Sequence, residues 1–469
     1  MLTYSFENIG NDTLYEHLYK CIKSDILSKK LNPHDKLPSK RSFAKNLGLS
    51  VITVENSYNQ LLAEGYIYSI PKKGFYVSEI NELYKRLPDI TNANPKESYE
   101  IAPDFQKYFA NFTSNQTSDD IFPFSIWSKL MRELLAYHQE ELMTRSPFNG
   151  VYELRLAIAN HLRDFHGMSV TPDQIVIGAG TDYLYGLLIQ ILGFDKNYGV
   201  ENPGYEKIRK IYNSYKVQYT PIEMTKSGID ISSLNKKHVD IVHISPSHHF
   251  PTGIVMPIAR RMELLNWANE NDKRYIIEDD YDSEFRFVGQ PIPTLQSIDK
   301  SNKVIYMNTF TKTLSSTIRI SYMVLPHDLT REFEKNFSFY SCTVSNFEQY
   351  TLSNFINQGY FEKHLNRMRT YYHNKRDILL NCIRKSPISD YVKIKEEDSG
   401  LHFLMEINTQ LEADDLLDKI KRADIKISAL SDYYVNPIQK FSKTFVINYS
   451  SIPEDKMEEA INRLYLAIC

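Results

Sequence analysis

RYIIEDDYDSEFRF, residues 274–287, and NTFTKTLSSTIRISYMVLP, residues 308–326, decide how the larger part of this chain is read. Each follows or contains a short apolar run, YII in the first case and KVIYM just before the second, of the length of a buried strand. Each run then ends on polar chemistry. Asp279, Asp280 and Tyr281 close the first, while Thr309, Thr311 and Lys312 close the second, with Arg319 a little further on. Ligands of open α/β sheets bind where strand carboxyl ends meet loops, so a carboxylate and an amine at two such ends point to a site. Taken singly, either motif is read more readily as a structural ion pair.

The same alternation extends outward. From about Phe122, apolar runs such as QIVIG (174–178) and VDIVHIS (239–245) alternate with amphipathic stretches such as ARRMELLNWANEN (259–271). This predicts an α/β domain with a mainly parallel sheet. Beyond Ser341, a helical stretch over residues 345–383 leads to a smaller C-terminal α+β portion. After QIVIG, Ala179-Gly180-Thr181 opens an apolar helix whose first N–H groups and dipole suit a phosphate, with a plain tight turn as the competing reading. The run ENPGY (201–205) adds Tyr205, and Pro251-Thr252-Gly253 adds a turn.

Together these residues form the set that pyridoxal 5'-phosphate requires. Lys312 supplies the amine that condenses with the cofactor aldehyde. Asp279 is the carboxylate that keeps the pyridine nitrogen protonated, Tyr281 the phenol for the ring oxygen, and Tyr205 the flat ring that stacks on the pyridine. Arg319 offers a guanidinium fork to the phosphate, helped by the Thr309 hydroxyl and the turn Ala179, Gly180, Thr181. Other residues take plainer readings. His248 and His249 are expected as surface or supporting groups and not metal ligands, Tyr371 and Tyr372 as packing residues, and Glu396-Glu397-Asp398 as a solvated turn.

Residues 11–79 read as a separate small domain. Leu14, Leu18, Ile22 and Ile26 recur at helical spacing, Ser39 is placed to cap a second helix and Ser50 a third, and Gly48 makes the turn between them. YIYSI and FYVSE then flank a basic turn at Lys72 and Lys73, which completes the order of a winged helix-turn-helix. The helix that starts at Ser50 is the one that would enter a major groove, with Ser50, Thr53 and Asn56 meeting bases or phosphates. Lys40, Arg41, Lys72 and Lys73 would neutralise phosphates, and Ser39 is counted with them in the DNA-binding set. Residues 1–80 hold ten Lys/Arg against eight Asp/Glu, so affinity for double-stranded DNA is expected to lean on dimerisation. Residues 80–118, broken by Pro88, Pro95 and Pro103, read as a linker, leaving 119–469 for the larger domain.

With 469 residues, a net charge of -3 and four scattered cysteines, the chain is neither a polycation nor a disulfide scaffold. Its N-terminus lacks the basic and apolar pattern of a signal peptide, and it has no apolar stretch long enough to span a bilayer. A cytoplasmic protein is expected.

The run KLPSKRSFAKNLGLSVITVENSYNQLLAEGYIYSIPKKGFYV (36–77) resembles the GntR-type winged helix-turn-helix, with Val51 where many relatives carry arginine. VIGAGT, ENPGY, SPSHHFPTG, SGLHF and the two opening runs resemble the fold-type I aminotransferase domain of the MocR/GabR regulators. The resemblance covers almost the whole chain. It implies a head-to-tail, domain-swapped homodimer that binds an operator and responds to an amine or a B6 vitamer. Two departures stand out. Phe250 occupies the usual place of an asparagine that partners the ring oxygen, and Lys207 and Asp432 stand where related chains hold a carboxylate with arginines. The competing class is an active aminotransferase with a fused DNA-binding module.

Overall fold

The computed structural model describes residues 2–6, 9, 12–80, 108–114, 121–287, 293–398 and 400–468, in two compact units, Met1–Phe105 and Gln106–Cys469. In the first, α1 (Leu14–Leu27), α2 (Lys40–Leu47) and α3 (Val51–Ala63) precede a hairpin of β1 (Ile67–Ile70) and β2 (Gly74–Val77). Ser39 Oγ accepts the Ser42 N–H at 3.2 Å and Ser50 Oγ accepts the Thr53 N–H at 3.0 Å, so both expected caps form. Gly48 turns the chain at φ 67°, a left-handed conformation that suits glycine. Leu18, Ile22 and Ile26 meet Phe43, Val54, Tyr58 and Leu61 in the core, whereas Leu14, at the first position of α1, stays exposed.

The second unit is built on an eight-stranded sheet. Its strands are β4 (Ile175–Gly178), β5 (Asn197–Asn202), β6 (Gln218–Thr225), β7 (Gly228–Ile229), β8 (Ile241–Ile244), β9 (Tyr275–Asp279), β10 (Val304–Thr309) and β11 (Ser321–Val324). They lie in the order β4-β11-β10-β9-β8-β5-β6-β7. The pairs from β10 through β6 are parallel, while β11 runs antiparallel between β10 and β4, and β7 returns antiparallel at the edge. Both faces are covered by helices, which explains the unbroken apolar runs of these strands. Ile175, Ile177 and Tyr306 point into one apolar cluster, and Val176, Ile305 and Met307 into another on the opposite face.

The C-terminal portion is an antiparallel sheet of β12 (Val392–Lys395), β13 (His402–Ile407), β15 (Ser428–Ala429) and β16 (Thr444–Asn448), in the order β12-β13-β16-β15. The long helical stretch divides at Gly359 into helices Asn346–Asn357 and Tyr360–Lys385. One boundary moves. Residues 108–114, assigned by composition to the linker, belong to this unit: β3 (Ala110–Asn111) pairs in parallel with β14 (Ile425–Lys426), and Phe112 is buried beside it. Two strand residues are too few to leave a periodic signal. The other linker positions, 81–107 and 115–118, lie outside the described residues.

Candidate functional site

In the run EDDYD (278–282), strand alternation separates the acids. Glu278 turns to the far face and accepts the Leu295 and Gln296 N–H groups at 2.7 and 2.8 Å. Burial pushes its carboxyl up to about 7. Asp280 is held by the hydroxyls of Ser283 at 2.7 Å and Tyr306 at 2.8 Å. Asp282 binds His248 Nδ1 at 2.8 Å. Of the four acids in this run, Asp279 alone lines a cavity of about 530 Å³ at the carboxyl ends of the strands. Thr181, Tyr205, Tyr281, Thr309, Lys312 and Arg319 line the same cavity, so residues scattered over 139 positions converge where the sequence predicts.

Each wall has its own chemistry. Tyr185 donates its hydroxyl to Asp279 Oδ2, and His243 Nε2 lies 3.6 Å from that oxygen. The other carboxylate oxygen, Oδ1, is buried without a hydrogen-bond partner. Such an oxygen is costly unless a donor reaches it, and a protonated pyridine nitrogen is such a donor. Desolvation by burial draws the Lys312 ammonium from 10.5 down to about 7, with Asp282 opposing part of the shift. A large fraction of the amine is therefore neutral and nucleophilic near neutral pH. Tyr281 donates its hydroxyl to the His248 carbonyl at 3.0 Å. Tyr205 is 45 % exposed and meets Phe250 edge to face at 5.9 Å, leaving ring surface open to the cavity. The fit with pyridoxal phosphate thus rests on an orphaned acceptor, a depressed amine and an open aromatic face in one cavity.

The phosphate end differs in detail from expectation. Ala179 and Gly180 do not offer free N–H groups: Ala179 donates to Thr343 Oγ1 at 2.9 Å, and Gly180 donates to the Gly178 carbonyl at 2.8 Å in the turn. Thr181, at the helix start, is the member of that turn that lines the cavity. Gly180 has another use. With φ 92°, it sits so close to Arg319 that a Cβ there would lie 2.2 Å from the guanidinium. Thr309 lines the cavity, but its Oγ1 accepts from Ser321 and donates to Thr311, both at 2.8 Å. Asp182 holds Lys207 at 2.6 Å and Arg319 at 3.5 Å, so the two mouth cations share one carboxylate and the trio keeps a net positive charge.

Four further residues, Asp182, Tyr185, Glu201 and Ser245, line the cavity without having been marked by the sequence pattern, and Thr311 joins them from the run that carries Lys312. Glu201, at the end of β5, accepts the Ser245 N–H at 3.2 Å, and burial raises its carboxyl. Its place at the head of ENPGY was the available signal. Asp432 is not a lining residue; it accepts the Ala429 N–H at 3.0 Å and closes a turn. His248 and His249 are buried, not surface groups. Ligand-type atoms of His248, Asp282 and His402 lie within 4.8 Å of one another. The His248–Asp282 hydrogen bond and a 3.2 Å contact of His402 Nε2 with the Pro251 carbonyl give them protein partners. Tyr372 is a core residue, as expected.

On the small unit, Arg41, Asn56, Lys72 and Lys73 are exposed. Lys40 is not free for a phosphate, since its ammonium binds Glu55 at 2.6 Å and lies over the Phe75 ring. Ser39 and Ser50 serve as caps, and Thr53 Oγ1 lies 2.8 Å from Ser50 Oγ.

Residues 108–464 match the family described as aminotransferase class I and II, and residues 14–77 match bacterial regulatory proteins, gntR family. The chain is 37 % identical, over 97 % of its length and 96 % of the relative's, to the uncharacterized HTH-type transcriptional regulator YdeL of Bacillus subtilis. It is 28 % identical, over 86 % of its length and 85 % of the relative's, to the HTH-type pyridoxine biosynthesis transcriptional regulator PdxR of Corynebacterium glutamicum. Among solved structures it shares its fold with the Pyrococcus horikoshii kynurenine aminotransferase, at TM-score 0.68 and 23 % identity, over 83 % of this chain and 98 % of that one. No helix among the described residues is long and apolar enough to cross a membrane.

Proposed function

We propose, from the premise that this chain belongs to the MocR/GabR family of gntR-type modules joined to class I/II aminotransferase domains, that it is a transcription regulator that binds operator DNA and holds pyridoxal 5'-phosphate on Lys312. The observation that carries the cofactor assignment is the unpartnered Asp279 Oδ1 in a cavity that also contains Lys312, a buried amine drawn down to about 7. When bound, the cofactor supplies a reactive aldehyde and an electron-accepting ring. The residues do the rest. Lys312 would offer the amine, Asp279 would hold the ring nitrogen while Tyr185 fixes its other oxygen, and Tyr281 is the phenol that would serve the ring oxygen. Tyr205 would cover the ring face, and Arg319 with Thr181 would receive the phosphate, while Thr309 lines that end with its hydroxyl engaged by Ser321 and Thr311.

A regulator fits these residues better than a general aminotransferase. At the two positions where related chains hold an amino-acid carboxylate with arginines, Lys207 is bound to Asp182 and Asp432 closes a turn on the Ala429 N–H, so neither is an arginine fork. We therefore take the phosphorylated B6 vitamer itself as the signal, in line with what the PdxR relative is named for. Vitamer binding shifts the protein between two arrangements with different operator affinity, which requires that it bind one arrangement more tightly. The protein acts in the cytoplasm as a head-to-tail homodimer, and two reader helices compensate for a module that is only slightly basic.

The test is operator binding by wild type and Lys312→Ala, each with and without pyridoxal phosphate. The expected result is a vitamer-dependent change in wild type that the variant lacks, together with a visible absorbance band in wild type alone. Equal operator affinity in all four cases, with colourless protein, would overturn the proposal. Turnover of amino acids with a keto acid would favour the aminotransferase instead.

A further inference from the structure

The start of α3 carries an exposed feature that neither the cofactor nor general phosphate attraction uses. Val51 is 42 % exposed and Ile52 68 %, side by side in the first helical turn. The polar groups around them are engaged. Ser50 Oγ takes the Thr53 N–H and lies 2.8 Å from Thr53 Oγ1, and Glu55 is bound to Lys40. One turn on, Asn56 is exposed. The Lys40 ammonium, on Glu55 and over the Phe75 ring, ties the start of α2, this part of α3 and strand β2 together. The exposed Arg41 is thereby on the element beside the aliphatic pair, and the exposed Lys72 and Lys73 are on the turn that leads into β2. Single exposed aliphatics need no explanation. Two adjacent ones at the tip of a helix, flanked by exposed cations, suit a polyanion that carries apolar groups in a groove.

We propose that Val51 and Ile52 pack against thymine 5-methyl groups in the major groove, and that Asn56 pairs with an adjacent adenine, so that the operator half-site is rich in A·T pairs. This rests on the DNA-binding reading above. In the major groove the thymine methyl is the apolar group that side chains can recognise, and the adenine N6/N7 edge matches an asparagine amide. The N-terminal turn of a reader helix is the part that meets base edges. Aliphatic side chains there favour thymine over cytosine, which lacks the methyl, through burial of apolar surface alone.

The full-length protein should be used to select binding sites from random duplexes, and thymines in the selected half-site should then be replaced by deoxyuridine, which removes only the methyl. Each contacted methyl should cost about four-fold in affinity, the value of one buried carbon group. Ile52→Ala should weaken binding to thymine DNA by a similar factor and should lose the preference for thymine over uracil at the position Ile52 contacts, while Val51 keeps its own. Ile52 is mostly exposed, so this variant keeps the fold. Unchanged affinity on uracil DNA, or an equal loss by Ile52→Ala on both duplexes, would overturn the methyl-reading proposal while leaving DNA binding intact. Failure to select any sequence would overturn the DNA-binding reading itself. A change of oligomeric state in Ile52→Ala with base preference unchanged would assign the face to a protein contact and also overturn the proposal.

Discussion

Lys312→Met in the cofactor-free protein should make the protein more stable at neutral pH. Methionine keeps the length and apolar stem of lysine and removes the ammonium. Burial draws the Lys312 amine from 10.5 to about 7, which means that the folded state disfavours the charged form. At about 1.4 kcal/mol per tenfold change in acidity, the full shift corresponds to roughly 5 kcal/mol, an upper bound once water in the cavity and local relaxation are allowed for. A gain of about 1–3 kcal/mol is expected. The sign follows from proton linkage. Between the folded value near 7 and the unfolded value of 10.5, the unfolded chain binds a proton that the folded chain does not, so wild-type stability rises with pH through that window. The penalty is fully present below about pH 7 and fades toward 10.5. The advantage of the methionine variant should therefore be largest near pH 7 and shrink by about pH 9.5. Urea denaturation of both cofactor-free proteins at the two pH values measures it. A variant no more stable than wild type at pH 7, or an advantage that does not narrow with pH, would refute the claim that Lys312 is held against its ionisation.

Other perturbations test the cavity wall by wall. Tyr185→Phe removes the hydroxyl donor to Asp279 and should weaken cofactor retention by about 1–3 kcal/mol, read as faster loss of the absorbance band on dialysis. Gly180→Ala places a Cβ 2.2 Å from the Arg319 guanidinium at φ 92°; it should lower affinity for pyridoxal phosphate at least about ten-fold and leave that for unphosphorylated pyridoxal nearly unchanged. Asp182→Asn frees Lys207 and Arg319, and because these side chains are 41–47 % exposed the gain in affinity for the phosphorylated vitamer should stay within about 1 kcal/mol and vanish in high salt. Both affinities follow from titration of fluorescence or absorbance.

The amino-acid sequence by itself determined what depends on near neighbours along the chain. The helix caps at Ser39 and Ser50 and the left-handed turn at Gly48 are short-range hydrogen bonding and sterics, and they form as expected. The strand ends at Asp279, Thr309 and Lys312 were legible because an apolar run of strand length followed by polar residues marks a carboxyl edge, where such sheets place their ligands. The tertiary structure alone decided which groups these residues meet. Tyr185 reaches Asp279 across 94 positions, and Asp182 gathers Lys207 and Arg319 from 25 and 137 positions away. Lys40, legible as a phosphate ligand, is withdrawn by Glu55, while Ala179 and Gly180 give their N–H groups to protein acceptors. Local sequence specifies backbone conformation and which side of a strand a residue occupies, whereas the partner across a cavity is set by how whole helices pack on the sheet, and that leaves no periodic trace along the chain.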